Sequence, residues 1–483
     1  MKEQRLESKV AGGVAWSISE KFLTMVIQMA VSIIVARQLM PDDFGIMAIM
    51  TFFTSVALTI VDSGFSQTLI RKASPTDEEY RSVLYFNIVV SIILYLLFIA
   101  VARPVAMLYD APAIATIAPV LFLVLPINAF CVVQTVMFTR EFRFALLSKI
   151  VFLASLISGV VAVVMALMGC GIWSLVAQRL LLMGIKAIAF WSIRRWRSDA
   201  RFSLAALRGM APFSLRLLAT DLIASVYNNV AQLFIGKMHT TTALGYFSQA
   251  QKLKDLPVTS TMQAVQGVTY PALSKLADDD VRFTEGYRRI LMLTAYLIFP
   301  VMAGLIAIAP DMCMLLLGDK WMPTVPYFEI LALAGLVFPL SVVSYNILKV
   351  RSDGRVILRL EVIKRIIMTL ILLYTIPRGV EAVAWGTSAM ALIDFVINAA
   401  AAMRYTTLST IALLRTLVVP LLLSAVLYLG VVYLNSHLVD FTTPLRLCLS
   451  ITAGVAIYVL GSLIFRPEAF GEAIKLIQSF RNK

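Results

Sequence analysis

Charged side chains stand in the middle of an apolar stretch at Gln249–Pro257, which reads QAQKLKDLP inside a hydrophobic segment from Leu244 to Leu276. If that segment crosses a bilayer, Lys252, Lys254 and Asp255 lie at membrane depth. Each costs roughly 2.5–3.5 kcal/mol there on insertion scales, so it must face a bundle interior or a watered cavity. Fixed ammonium groups in such a cavity suit an anion, and a phosphate in particular. On a helix Gln249, Lys252 and Asp255 share a face while Lys254 points elsewhere. Pro257 removes a backbone hydrogen bond beside them, which predicts a kink. The alternatives to a cavity are an interfacial helix, or charges that merely pair with one another.

The elements that must position these charges follow from composition. Of 483 residues, 60% are hydrophobic and 14% charged, with a mean hydropathy of +0.86. A soluble domain runs about 45–50% apolar and about 25% charged. Apolar runs of spanning length recur at about 10–35, 44–70, 82–103, 113–139, 147–169 and 171–193, then 209–236, 243–274, 287–309, 325–348, 357–376, 382–404, 413–434 and 444–465. The expected fold is an all-α polytopic membrane protein of about fourteen transmembrane helices.

The net charge of +14 could indicate nucleic acid, but its placement argues otherwise. Thirty of the 42 Lys and Arg fall at the N-terminus, the even-numbered connections and the C-terminus. Only six, Arg37, Arg103, Lys237, Lys320, Arg378 and Arg446, occupy the odd-numbered connections. By the positive-inside rule both termini are cytoplasmic, and the charge excess is a topology signal rather than a nucleic-acid footprint. Cys131, Cys170, Cys313 and Cys448 lack disulfide or metal-ligand spacing, and His239 and His437 lie in short loops. No metal, cofactor or catalytic residue is expected, nor a cleavable signal peptide.

The remaining six basic residues, Lys21, Arg179, Lys186, Arg216, Lys252 and Lys254, are intramembrane. Lys and Arg near helix ends snorkel to the interface, as Arg216 can, but Lys21, Lys186 and Lys252 sit too near mid-span for this. Acidic companions at depth are Glu20, Asp62, Asp221, Asp255 and Asp394, with Glu329 nearer an end. Asp62, Asp221, Asp255 and Asp394 are candidates for ion coupling or charge balance. Asp62 equally suits a helix-end cap or kink. In the first segment Ser17, Lys21, Thr24 and Gln28 follow one helical stripe, and in the seventh Asp221, Ser225, Asn228 and Gln232 do the same. Arg179 and Lys186, seven apart, share a face. The candidate substrate-binding set is therefore Lys21, Arg179, Lys186, Lys252, Lys254, Gln28, Asn228 and Gln249. For the neutral members, simple interhelical hydrogen bonding worth about 0.6 kcal/mol each is an equal alternative.

The sequence also repeats. ARQLMPDDFGIMAIM (36–50) aligns with GKMHTTTALGYFSQA (236–250), placing Gly45 on Gly245, and Lys21 then faces Asp221 and Gln28 faces Asn228. FTREFRF (138–144) resembles KVRSDGR (349–355) in the same order. Six spans between equivalents imply parallel repeats, hence two pseudo-symmetric six-helix lobes with substrate between them. The expected division is 1–193 for the N-lobe, 194–208 for a basic cytoplasmic linker, 209–404 for the C-lobe, and 405–483 for two further helices and a cytoplasmic tail. The linker, RRWRSDARFSLAALR, suits anionic headgroups or plain topology enforcement.

DSGFSQTLIRK (62–72), LGYFSQAQKLKDLPV (244–258), VTYPALSKLADD (268–279) and GDKW (318–321) resemble the Wzx-type bacterial polysaccharide flippases. That family shares a superfamily with the multidrug and toxin extrusion (MATE) transporters and the lipid II flippase. The resemblance implies a V-shaped pair of lobes in the inner membrane. It further implies movement of an undecaprenyl-diphosphate-linked oligosaccharide from the cytoplasmic to the periplasmic leaflet, with Lys21, Lys252 and Lys254 as counterparts of cavity-lining cations. The polysaccharide polymerase machinery and membrane lipids are candidate partners. One rival is a cation-coupled drug exporter of the same fold, which would want an acidic, aromatic cavity. Another is a membrane glycan polymerase, ligase or glycosyltransferase, which would need a large external loop bearing catalytic groups. Here the external loops are short, and Asp42 and Asp43 are adjacent, so they face opposite ways. A non-transporting scaffold leaves the intramembrane charges unexplained.

Overall fold

The computed structural model describes residues 23–196, 199–276 and 278–481, so Lys21 lies outside the described residues. Eighteen α-helices follow in order, with no strand among the described residues. They are α1 Leu23–Gln38, then α2 Pro41–Asp62, α3 Phe65–Arg71, α4 Asp77–Leu108, α5 Ala113–Leu121, α6 Val124–Arg140, α7 Phe144–Leu167, α8 Trp173–Ile193 and α9 Leu204–Met238. There follow α10 Thr241–Lys275, α11 Asp280–Ala307, α12 Ala309–Leu316, α13 Thr324–Arg351, α14 Gly354–Thr375, α15 Val380–Met403, α16 Thr410–His437, α17 Thr443–Phe465 and α18 Glu468–Arg481.

The expected apolar segments, including the described part of the first, fall on helices, but 44–70 is divided between α2 and α3 and 113–139 between α5 and α6. Eleven are long and apolar enough to cross a membrane among the described residues, counting α5 and α6 as one. α10 and α14 are absent from the eleven. Both carry several charges inside their length, Lys252, Lys254 and Asp255 on one and Glu361, Lys364 and Arg365 on the other. In α14 the charges are the reason; in α10 the stretch 256–273 is uncharged, and its Gln, Ser, Thr and Pro residues lower the hydropathy instead.

By internal contacts the chain divides into two compact units, Met1–Gly245 and Tyr246–Lys483. In the first, α9 packs against α2, α3 and α4, around a core that includes Phe65, Leu69, Val83, Val136 and Met210. The DSGFS motif is a helix break. Ser63 and Gly64 both take left-handed backbone, and a Cβ on Gly64 would stand 2.5 Å from the Ser214 carbonyl oxygen of α9. Only glycine fits there. The short α3 that follows is capped by Arg140, whose guanidinium donates to the carbonyls of Leu69 at 2.9 Å, Ile70 at 3.1 Å and Ala73 at 2.8 Å. At the start of α4 the Thr76 hydroxyl accepts from the Glu79 amide while the Glu79 carboxylate accepts from the Thr76 amide, a capping box. The described residues of the linker are not helical before Leu204. They are pinned to α4 by Trp196 donating to Asp77 at 3.4 Å and by the Ser203 amide donating to Ser82 at 2.9 Å.

In the second unit α13 packs against α11 and α15, and α16 against α11 and α17. Tyr458 donates to the Tyr296 carbonyl at 2.8 Å, Tyr296 donates to Ser462 at 2.7 Å, and Arg446 pairs with buried Asp311, which fastens α17 to α11 and α12. Two of the motifs meet here, since Tyr246 sets its ring edge-on to fully buried Trp321 of GDKW at 6.0 Å.

α18 docks on the first turns of α11 through Arg288, which donates to Glu468 at 2.9 Å, and through an Arg289–Glu472 pair. The hydrogen bond from Arg288 holds the Glu468 carboxyl below the usual carboxylate range. A depressed carboxylate contributes stability that is present above its unfolded-state value and lost as pH falls through the lowered one. Amide protection across 468–481 is therefore expected to persist at about pH 5 and to fall only below about pH 4. Hydrogen exchange checks this, and protection lost between about pH 7 and pH 5 would contradict it.

Candidate functional site

α10 is continuous from Thr241 to Lys275, so the proline does not end it. Directly after it, the hydroxyls of Thr259, Ser260 and Thr261 donate to the carbonyls of Asp255, Leu256 and Pro257 at 2.7, 2.8 and 2.9 Å. On the same helix Gln249 is buried, and its side-chain carbonyl accepts no hydrogen bond from the described residues. Lys252 is exposed. Lys254 is mostly buried and pairs with Asp255 at 2.7 Å. Two of the expected charges thus neutralise each other locally, and it is Lys254, not Lys252, that holds Asp255 at 2.7 Å.

Deeper in the same unit lies a buried ionic cluster that joins α13, α14 and α15. Lys364 of α14, with a side chain only 7% exposed, sits 3.0 Å from Asp394 and 2.5 Å from Glu361. The second Asp394 oxygen accepts from Ser341 at 2.5 Å and from Asn398 at 3.3 Å. Asn398 also donates to Ser341 at 2.9 Å, and its carbonyl accepts from Lys364 at 3.4 Å. The ammonium lies 5.2 Å from the centre of the Tyr345 ring. A buried ammonium, an amide and a hydroxyl thus meet two half-buried carboxylates, and Arg365 adds a second cation to Glu361 at 3.6 Å. Pairing of this kind is the condition for holding charge away from water.

The other candidates belong to the first unit. The Gln28 amide donates to Ser155 of α7 at 3.3 Å. Arg179 is exposed and Lys186 half-buried on α8, and neither forms an ion pair with the described residues. Lys186 approaches the Met183 sulfur at 3.9 Å. Asp221 and Asn228 are exposed on α9, where Ser225 donates to Ser55 of α2 at 3.4 Å. Asp62 ends α2, accepts from Ser66 and lies within electrostatic range of Asp221. The adjacent pair Asp42 and Asp43 divides its work, since Asp42 accepts from Thr241 while Asp43 takes the Met40 amide at 3.1 Å at the start of α2. Among the described residues no group of three or more His, Cys, Asp or Glu is placed to hold a metal.

Sequence reasoning singled out Asp394 but missed Lys364, Glu361, Ser341 and Asn398. Lys364 counts, from sequence, among the basic residues of a connection, because it lies between Arg359 and Arg365. A usable signal was the spacing, Glu361 with Lys364 at i, i+3 and Asp394 with Asn398 at i, i+4.

A family profile described as "Polysaccharide biosynthesis protein" matches residues 34–326. The succinoglycan biosynthesis transport protein ExoT of Rhizobium meliloti is 25% identical over 380 residues, covering 78% of this chain and 76% of ExoT. The teichuronic acid biosynthesis protein TuaB of Bacillus subtilis is 22% identical over 464 residues, covering 94% of this chain and 95% of TuaB. Among solved structures, the lipid II flippase MurJ in an inward closed conformation superposes with a TM-score of 0.73 at 15% identity, over 94% of this chain and 98% of MurJ. The likeness to MurJ shows the fold. With the profile spanning most of the chain, including α2 to α12 and the charged turns of α10, the protein belongs to the polysaccharide biosynthesis protein family.

Proposed function

We propose that this transporter moves an undecaprenyl-diphosphate-linked oligosaccharide from the cytoplasmic to the periplasmic leaflet of a bacterial inner membrane. It does so by alternating access of two six-helix lobes, 1–193 and 209–404, with both termini cytoplasmic and the helices of 405–483 appended. The observation that carries this reading is the charged run of α10, in a chain of this family: an exposed Lys252 beside the Lys254–Asp255 pair, within a helix of 35 residues. A diphosphate cannot cross about 30 Å of hydrocarbon unless fixed donors replace its water. Lys252 and Lys254 supply point charges, Arg179 a planar fork, and Lys21, Lys186, Gln28, Asn228 and Gln249 further polar contacts. Asp255 sits on Lys254 in the resting state and gives it up when the diphosphate arrives. This keeps binding weak enough for release. Asp62, Asp221 and Asp394 are the candidates for coupling or charge balance. The glycan polymerase machinery would receive the product.

The test is periplasmic delivery of an undecaprenyl-diphosphate-linked glycan in a bacterium lacking its own polysaccharide flippase. A charge-assisted hydrogen bond contributes about 1.5–3 kcal/mol, so a Lys252→Ala and Lys254→Ala double variant is expected to cut delivery by about tenfold or more at unchanged membrane abundance. Unimpaired delivery by that variant would sink the cationic-site reading. Resistance to cationic dyes in place of glycan delivery would transfer the protein to drug export.

A further inference from the structure

A cavity of about 260 Å³ opens where α11, α16 and α18 meet. Its walls include Arg288 and Met292 from α11, Arg415 and Val419 from α16, and Pro467 with Glu468 at the start of α18. The two arginines differ in state. Arg288 is saturated, donating through Nε and Nη2 to Glu285 at 2.9 and 2.8 Å and through Nη1 to Glu468 at 2.9 Å. Arg415 is exposed and makes no hydrogen bond or ion pair with the described residues. A guanidinium with five free N–H donors in a planar fork matches the oxygens of a phosphate.

The surface below Arg415 says what carries that phosphate. Val419, Leu422, Val426 and Leu429 follow Arg415 at i+4, i+7, i+11 and i+14, one stripe of a helix, and all four are exposed. The stripe ends at exposed Tyr433, an amphipathic ring of the kind that collects at membrane interfaces. From Arg415 to Tyr433 the helix rises about 27 Å, close to the hydrocarbon thickness of a bilayer. A cation thus heads a strip of apolar surface that acyl chains can cover. The one carboxylate among the cavity's lining residues, Glu468, is already engaged by Arg288, so none remains there for the ammonium of a zwitterionic headgroup.

We infer that this pocket is a binding site for an anionic glycerophospholipid, its phosphate held by Arg415 and its acyl chains lying along Val419, Leu422 and Val426. The site is separate from the charged run of α10 and does not depend on which substrate is transported. A lipid seated there touches α11, α16 and the first residues of α18 together, and so ties the C-terminal helix to its own unit.

The experiment uses the full-length protein in detergent, titrated with phosphatidylglycerol, phosphatidylcholine or inorganic phosphate while thermal unfolding and retained lipid on native mass spectrometry are read. Phosphatidylglycerol is expected to raise the melting temperature and remain bound, with phosphatidylcholine and millimolar phosphate doing neither. Arg415→Gln is expected to weaken phosphatidylglycerol binding by about tenfold, the worth of one charge-assisted contact. Arg282→Gln, a change at an exposed residue at the start of α11, is expected to bind as the wild type does. Equal binding by Arg415→Gln, or equal stabilisation by phosphatidylcholine, would overturn the inference. Stabilisation by inorganic phosphate alone would replace the lipid with a soluble anion.

Discussion

Replacing Lys364 by methionine is expected to destabilise the second unit by roughly 3–5 kcal/mol, a fall in melting temperature of about 6–20 °C at about 2–4 °C per kcal/mol. The side chain fits by size, so packing is not the reason. Lys364 is the only cation within ion-pair distance of Asp394 among the described residues, and it also contacts Glu361. Without it, half-buried Asp394 keeps only Ser341 and Asn398, two neutral donors, for its charge. Glu361 keeps Arg365 at 3.6 Å and suffers less. The companion change Asp394→Asn should therefore recover most of the loss in the double variant, because the buried site is again uncharged at that position. A single variant that melts like the wild type would show that the cluster is solvated in the membrane protein and does not hold its charges away from water. Thermal unfolding of the purified variants decides between these outcomes.

Alanine at Gly45 or Gly245 is expected to push α2 and α10 apart. A Cβ on Gly45 would stand 1.8 Å from the Thr241 carbonyl oxygen, and one on Gly245 would stand 1.9 Å from the Pro41 carbonyl oxygen. The obstructing atoms are backbone in both cases, so no rotamer change relieves the overlap. Overpacking costs about 1–3 kcal/mol and occasionally more, and a contact with main chain belongs at the upper end. Gly184→Ala is the control, since a Cβ there meets nothing within 4 Å. Its sign should be opposite, a gain of up to about 1 kcal/mol from helix propensity. Melting temperatures of the three variants give the answer, and Gly45→Ala equal to Gly184→Ala would show that the close crossing does not form.

The two glycines also show how far the sequence reached. Aligned as repeat equivalents, Gly45 and Gly245 mark a contact that is itself symmetric, with residue 45 against 241 and residue 245 against 41. The alignment paired these two positions, and the structure brings them into contact. The helices were legible because each depends on local chemistry. Apolar runs of spanning length carried that signal, while the Thr76–Glu79 capping box and the Ser63–Gly64 break, which are also local devices, came into view with the structure. The same holds for the membrane class, since the cost of charge at depth is a property of each residue and its flanks.

Charge partners were legible only where they adjoin. Lys254 and Asp255 are neighbours in the chain, so pairing between them was already open as an alternative to a cavity. Lys364 and Asp394 lie thirty residues apart on different helices, and helical periodicity says nothing about which faces will meet. From sequence Lys364 belongs to a run of basic flanking residues. Only the packing of α14 against α15, with α13 supplying Ser341, turns it inward and makes it the counter-ion of Asp394. Hydropathy, caps and breaks therefore determined which segments are helices, because those energies are local. Which buried charges survive, and against which partner, was decided by tertiary structure, because a buried ion is tolerated only where another helix brings it an opposite charge and hydrogen bonds.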